Sequence, residues 1–199
     1  MAHILVTPAP PPALSDDWAL IQRCVRGDVD AFRPLVERYQ RLAYSVALRM
    51  LSVPADAEDV VQQAFTQAFG ALPRFDGSGH DAAFRVWLLR IVVNGAKDLL
   101  KSKHRGDVAL TDDETAWAAL APGASPEEIA GAHGEGARLA RGLATLPEKY
   151  RTSLILKDVE DLSYEEMRGI LRLPITTLKI RVVRARAMLR AWLESEANR

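Results

Sequence analysis

Apolar residues recur along this chain at the three- and four-residue spacing of an α-helix, and the strict alternation of a half-buried strand is nearly absent. A first helix is predicted from a cap at Ser15 or Asp16 to about Gly27, with Leu20, Ile21, Cys24 and Val25 on its apolar stripe. Gly27 and Asp28 predict a stop and a new cap. From there to Leu51, Phe32, Leu35, Val36, Tyr39, Leu42, Ala43, Val46 and Leu48 repeat on one face. Pro34 falls in the opening turns, where proline costs little. Ser52 to Pro54 predict a corner. A third helix, 55–72, turns Ala57, Val61, Phe65, Ala68, Phe69 and Leu72 inward. The turn-rich stretch 73–81 precedes a fourth helix, 82–102, whose stripe is Phe84, Trp87, Leu88, Ile91, Val92, Ala96 and Leu99. Helical pattern resumes at about Glu135 and continues to the end. The predicted fold is all-α.

Composition divides this pattern into two parts. From Gly106 to Gly134 the acids Asp107, Asp112, Asp113, Glu114, Glu127 and Glu128 stand without a single Lys or Arg, among glycine, alanine and proline. Such a stretch predicts a flexible acidic linker with at most one weak helix. The layout is a disordered tail at 1–14, a helical domain at 15–105, the linker at 106–135 and a second helical domain at 136–199. The tail, MAHILVTPAPPPAL, is broken by four prolines and has neither a basic leader nor a long apolar run. It predicts no membrane insertion and no export, hence a cytoplasmic protein. One cysteine, Cys24, excludes an internal disulfide framework, and its place on an apolar stripe predicts a buried small hydrophobe. His80 and His104 lack metal-ligand spacing to any Cys or acid, and no phosphate-binding glycine pattern or nucleophile–base pair occurs. No metal, cofactor or enzymatic activity is assigned.

The chain carries 26 basic and 26 acidic residues, so any nucleic-acid binding must come from local patches. One such patch exists. Arg168, Arg172, Lys179, Arg181, Arg184, Arg186 and Arg190 follow one another with no acid among them. They lie on two short predicted helices joined by a tight corner. Ser163 and Glu166 form a capping box for the first, and Pro174 precedes the second, 175–190. A basic second helix of a helix-turn-helix suits DNA phosphates and the major groove. A solvated basic helix has the same composition.

Four segments in order resemble the extracytoplasmic-function group of bacterial sigma factors. They are GDVDAFRPLVERY (27–39), DAEDVVQQAF (56–65), FRVWLLRIVVNGAKDLLKSKHR (84–105), and LATLPEKYRTSLILKDVEDLSYEEM (143–167) followed by TTLKIRVVRARAMLR (176–190). The resemblance spans nearly everything from Asp16 to Leu193 outside the linker. It implies a transcription initiation factor that partners core RNA polymerase and promoter DNA and is held by an anti-sigma factor. Asp56, Glu58, Asp59, Gln62, Gln63 and Thr66 would meet the polymerase, with polar rim contacts setting the register. The loop from Phe75 to His80 would capture a flipped minus-ten base. Arg85, Arg90, Asn94, Lys97, Lys101 and Arg105 would hold the melted strand. Trp87, on the apolar stripe, is read as core. Arg172, Thr176, Thr177, Lys179, Arg181 and Arg184 would face the minus-thirty-five element.

The chain departs from the family pattern at Arg168, Arg172, Thr176 and Ile180, where the family usually has Ala, Gly, Gly and Ser. Arginine at a left-handed backbone position costs on the order of 1 kcal/mol. Ile180 removes a polar contact beside the DNA face. Two other readings stand beside the sigma factor: a stand-alone helix-turn-helix regulator, and a sigma-like adaptor that no longer reads DNA.

Overall fold

The computed structural model describes residues 15–77, 83–107 and 135–198, and every regular element among them is helical. The expected tail at 1–14 and nearly all of the expected linker lie outside the described residues, as does His80. Helix α1 runs Ser15–Val25, α2 Arg33–Leu51, α3 Pro54–Ala71 and α4 Ala83–Asp107. The second half holds α5 (Glu135–Ala144), α6 (Glu148–Leu154, prolonged by a π turn over Ile155–Val159), α7 (Tyr164–Leu171) and α8 (Ile175–Ala197).

The expected helix from Asp28 is split. Val29–Phe32 is a 3₁₀ turn, and α2 begins only at Arg33. Pro34 explains this: it has no N–H to donate to the preceding turn, so the α ladder starts around it. Asp28 does not cap either segment with its side chain. Its carboxylate instead accepts from Arg23 Nε and Nη2, at 2.9 and 2.7 Å. At the other end Ser52 takes a left-handed conformation, φ 62°, and its N–H closes on Leu48 O at 2.7 Å. Val53 is then extended and Pro54 opens α3.

The core of the first half is built from Leu35, Val46 and Met50 of α2, Ala57, Ala64 and Ala68 of α3, and Leu88, Val92 and Ala96 of α4. The alanines of α3 let its neighbours approach closely. Asp17, buried in α1, accepts from Arg38 and from the Tyr39 hydroxyl of α2. Burial, then the hydrogen bond and charge of Asp17, push the Tyr39 phenol far above its ordinary value. Cys24 is buried as expected, and burial raises its thiol.

The two halves pack on each other, and the buried apolar cluster runs through both. Arg85 of α4 donates to Glu166 of α7, and Arg90 Nε donates to Gly169 O at 2.8 Å. Gly169 permits that approach, because a Cβ there would stand 2.7 Å from Val86 Cγ1. At the far end of α2, Ser45 donates to Glu160, and Arg49 Nη1 lies 3.6 Å from the same carboxylate. Arg151, buried in α6, joins the two halves internally. Its Nη1 reaches Met50 O of α2 at 2.9 Å, and its Nη2 reaches Ala144 O and Leu146 O at 3.0 and 3.1 Å. It thereby supplies a cation to carbonyls left open at the C-termini of α2 and α5.

Candidate functional site

Helix α3 presents the residues expected to meet the polymerase on two sides. Glu58, Gln62 and Thr66 border an open groove of 1100 Å³ between α2 and α3. Its floor is apolar: Val36, Tyr44, Val61, Phe65 and Phe69, closed by Phe32 of the 3₁₀ turn. Phe32 meets Phe69 and Phe65 edge-on, with ring centres 5.0 and 6.3 Å apart. Val61 and Phe69 were expected in the core, yet Val61 is half-buried and Phe69 is 37% exposed. Positions 61, 65 and 69 form a row one step away from the alanine stripe, so they edge the α2 side and leave a cleft. An apolar floor with a polar rim is the anatomy of a protein interface that receives a helix.

Asp56, Asp59 and Gln63 face the other way. They line a narrower cleft of 610 Å³ against Trp87, Arg90, Asn94 and Asp98 of α4. Asp56 is ion-paired with Lys103. Half of the residues expected on the polymerase side therefore share a cleft with residues expected to hold DNA. Trp87, read as core, is half-buried: its ring lies 4.7 Å from Phe75 and 5.8 Å from Phe84, and it also lines the cleft. Phe75 is likewise packed into this aromatic cluster. A Cβ on Gly77 would meet Phe75 at 2.5 Å, so a glycine there lets the chain fold over the ring.

Three cations of α4 are engaged by the second half, and Lys103 is held by Asp56 of the first. Arg85 is bound to Glu166, Arg90 to the Gly169 carbonyl, and Lys97 Nζ lies 3.4 Å from Glu148. Burial and then the neighbouring Arg172 charge draw the Arg90 guanidinium below its ordinary value. Asn94 and Lys101 are exposed, and the Arg105 side chain lies outside the described residues.

The second half contains the predicted helix-turn-helix, α7 and α8. Its capping box is complete: Glu166 N donates to Ser163 Oγ at 3.2 Å, and Ser163 N donates to Glu166 Oε2 at 2.8 Å. The turn keeps its left-handed residue, with Arg172 at φ 54°. The departure at 172 is therefore absorbed as backbone strain, and the turn is not rebuilt. Arg168 points outward and pairs with Glu165 at 2.7 Å, while the adjoining Gly169 makes the close contact with α4. On α8, Leu178, Val182 and Ala185 are buried, which turns Thr176 and Ile180 to solvent. Thr177 and Arg181 are half-buried on the flank. Lys179 Nζ sits 5.7 Å from the Tyr164 ring centre, and Arg184 Nη1 donates to the Tyr150 hydroxyl at 3.4 Å. Arg186 is committed to Asp158 by two bonds of 2.8 and 2.6 Å.

Sequence reasoning missed Phe32, Tyr44 and Arg41 of the groove, and Arg151. Phe32 and Tyr44 were separable only by noticing that the apolar rows from the 3₁₀ turn through α3 hold more aromatic surface than one small core encloses, and nothing local marks Arg41.

Residues 35–106 match the Sigma-70 region 2 family and residues 137–189 match Sigma-70, region 4. The chain is 36% identical over 176 residues to the RNA polymerase sigma-H factor of Pseudomonas aeruginosa, which covers 85% of this chain and 90% of the relative. It is 37% identical over 177 residues to the ECF RNA polymerase sigma-E factor of Escherichia coli, with the same coverage, 85% and 90%. Among solved structures it resembles CnrH in complex with the cytosolic domain of CnrY, with a TM-score of 0.65 and 30% identity over 90% of this chain and 98% of that one. The sigma factor RpoE of Bartonella quintana, solved with the anti-sigma factor NepR, shares the fold at a TM-score of 0.63 and 22% identity, over 82% of this chain and 96% of that one. The chain belongs to the extracytoplasmic-function group of the sigma-70 family, the alternative sigma factors of RNA polymerase.

Proposed function

We propose that the chain, a cytoplasmic initiation factor without covalent chemistry of its own, divides promoter use between two domains, 15–105 and 136–199. The apolar groove of α2 and α3, rimmed by Glu58, Gln62 and Thr66, docks on a helical element of core RNA polymerase. Asp56, Asp59 and Gln63 flank that contact from the α4 side. Arg85, Arg90, Asn94, Lys97, Lys101 and Arg105, with the loop from Phe75 to His80, hold the opened minus-ten strand. Helix α8 carries the minus-thirty-five contacts through Thr176, Thr177, Lys179, Arg181 and Arg184, with Arg172 at the turn. The observation that carries this reading is the two-sided α3, with an apolar groove on one side and, on the other, a polar cleft that sets Asp56, Asp59 and Gln63 against Trp87, Arg90 and Asn94 of α4.

Because Arg85, Arg90 and Lys97 are held by the second half, their use on DNA requires the halves to part. An anti-sigma factor that grips both halves would keep them together. The likeness to CnrH, solved with the cytosolic domain of CnrY, supports such a partner.

Run-off transcription with purified core enzyme on a promoter library tests the reading. Specific products are expected only when core and chain are both present. Asp59→Lys should weaken core binding and Arg181→Glu promoter selection, each sparing the other. A chain that binds promoter duplex tightly and ignores core would be a stand-alone regulator, and the proposal would fail.

A further inference from the structure

The solvent face of α8 is not uniformly polar. Ile180 is 51% exposed and Val183 62%, and Thr176 and Ala187 continue the same row at spacings of four, three and four. This row lies opposite the buried Leu178, Val182 and Ala185. Exposed Lys179 and Arg190 border it on one side and exposed Arg184 on the other. A β-branched apolar pair inside a cationic border is costly to leave in water, and it satisfies no hydrogen bond wherever it lands. The border calls for a polyanion; the pair calls for an apolar group displayed between two phosphate rows.

The DNA major groove offers one such group, the C5-methyl of thymine. Guanine, adenine and cytosine edges place donors and acceptors there, and covering them with Ile or Val strips their water without replacement. We propose that Ile180 and Val183 select thymine methyls in the upstream promoter element, a specificity that rests on the reading of α8 as the DNA-facing helix. Ile180 sits within the first two turns, where a reading helix reaches base edges, and Val183 one turn further along. The pair therefore addresses neighbouring base pairs, with Lys179, Arg184 and Arg190 taking the phosphates beside them.

The test uses holoenzyme, core plus full chain, on a promoter selected from the library. Each upstream thymine is replaced in turn by deoxyuridine, which removes the methyl and leaves every pairing and groove hydrogen bond in place. Binding is expected to fall about fourfold per methyl at one or two neighbouring positions, the worth of one buried carbon. Ile180→Ser should equalise thymine and deoxyuridine at one of them and Val183→Ser at the other. Both side chains lie outside the core, so an unchanged melting temperature checks the fold. Equal binding of thymine and deoxyuridine throughout, or a selected element of G·C pairs alone under the stripe, overturns the inference while leaving the assigned function standing. So does an Ile180→Ser variant that keeps its deoxyuridine sensitivity, or one that loses only a protein inhibitor. If no upstream sequence is selected, and Lys179→Ala with Arg181→Ala changes nothing, both the inference and the reading of α8 fall.

Discussion

Helices α4 and α8 carry the same kind of charge but place it differently. On α4, Arg85, Arg90 and Lys97 are each engaged by a group from the other half. On α8, Arg186 is held by Asp158 and Arg184 donates to the Tyr150 hydroxyl, both within the same half, while Arg181 and Arg190 have no ion-pair partner among the described residues and Lys179 leans on the Tyr164 ring. A guanidinium already donating to a carboxylate or a carbonyl cannot donate the same N–H to phosphate. Under the proposed function, this arrangement presents the upstream-reading surface and withholds the minus-ten surface. The difference lies in placement, not residue type: α4 is where the halves meet, and α8 is on the far side of its own domain.

The contrast breaks most completely at Arg151. Its guanidinium joins α2 to the second half and serves Met50, Ala144 and Leu146 carbonyls at once. Burial lowers its pKa, with Glu148 opposing, yet an arginine stays charged at neutral pH. Arg151→Met keeps the apolar stem and leaves those carbonyls without a donor. The expected loss is about 2–4 kcal/mol, seen as a lower denaturant midpoint at unchanged slope. A midpoint within experimental error of the parent would show that the clasp is ornamental.

A smaller change at Glu166 sharpens the comparison. The carboxylate serves two purposes, capping α7 through Ser163 and holding Arg85 of α4. Burial pushes its pKa up, but the Ser163 N–H and hydroxyl and the charge and hydrogen bond of Arg85 outweigh that and hold it below 4.5. A depressed carboxylate adds stability that is fully present above its unfolded value and lost as pH falls through the folded one. The chain should therefore lose this contribution only below about pH 4.5, and Glu166→Gln should flatten that part of the stability–pH curve. At neutral pH Glu166→Ala should cost about 1–2 kcal/mol. It should also free Arg85, so a single-stranded minus-ten oligonucleotide should bind the isolated chain more tightly than it binds the parent. Equal oligonucleotide affinity would mean that the contact does not mask α4.

These contacts mark where sequence reading stops. Local signals were legible: helical periodicity, the Ser163–Glu166 box and the buried Cys24 all stand as expected. Each depends on residues a few positions apart. Arg85 and Glu166 are separated by 81 positions, and Arg151 and Met50 by 101. A lone arginine in an amphipathic helix reads as solvated until the partner is placed. The two-sided α3 escaped for a related reason: its polar residues spread over a wide arc, and only the positions of α2 and α4 divide that arc in two. Val61 and Phe69 were assigned to the core because periodicity gives direction and not depth.

The smallest expected effect is at the turn itself. Arg172 holds φ 54° and ψ 40°, where a β-carbon crowds the following carbonyl. Its charge also acts on Arg90 across the junction. Arg172→Gly relieves the backbone at the cost of a looser unfolded chain, for a net gain of about 0.5–1 kcal/mol. It also removes the repulsion on Arg90, which should strengthen the bond to the Gly169 carbonyl and close the halves further. Melting should therefore rise while affinity for a single-stranded minus-ten oligonucleotide falls, the reverse of Glu166→Ala. If both quantities rise together, Arg172 acts on the backbone alone and its charge does not reach α4.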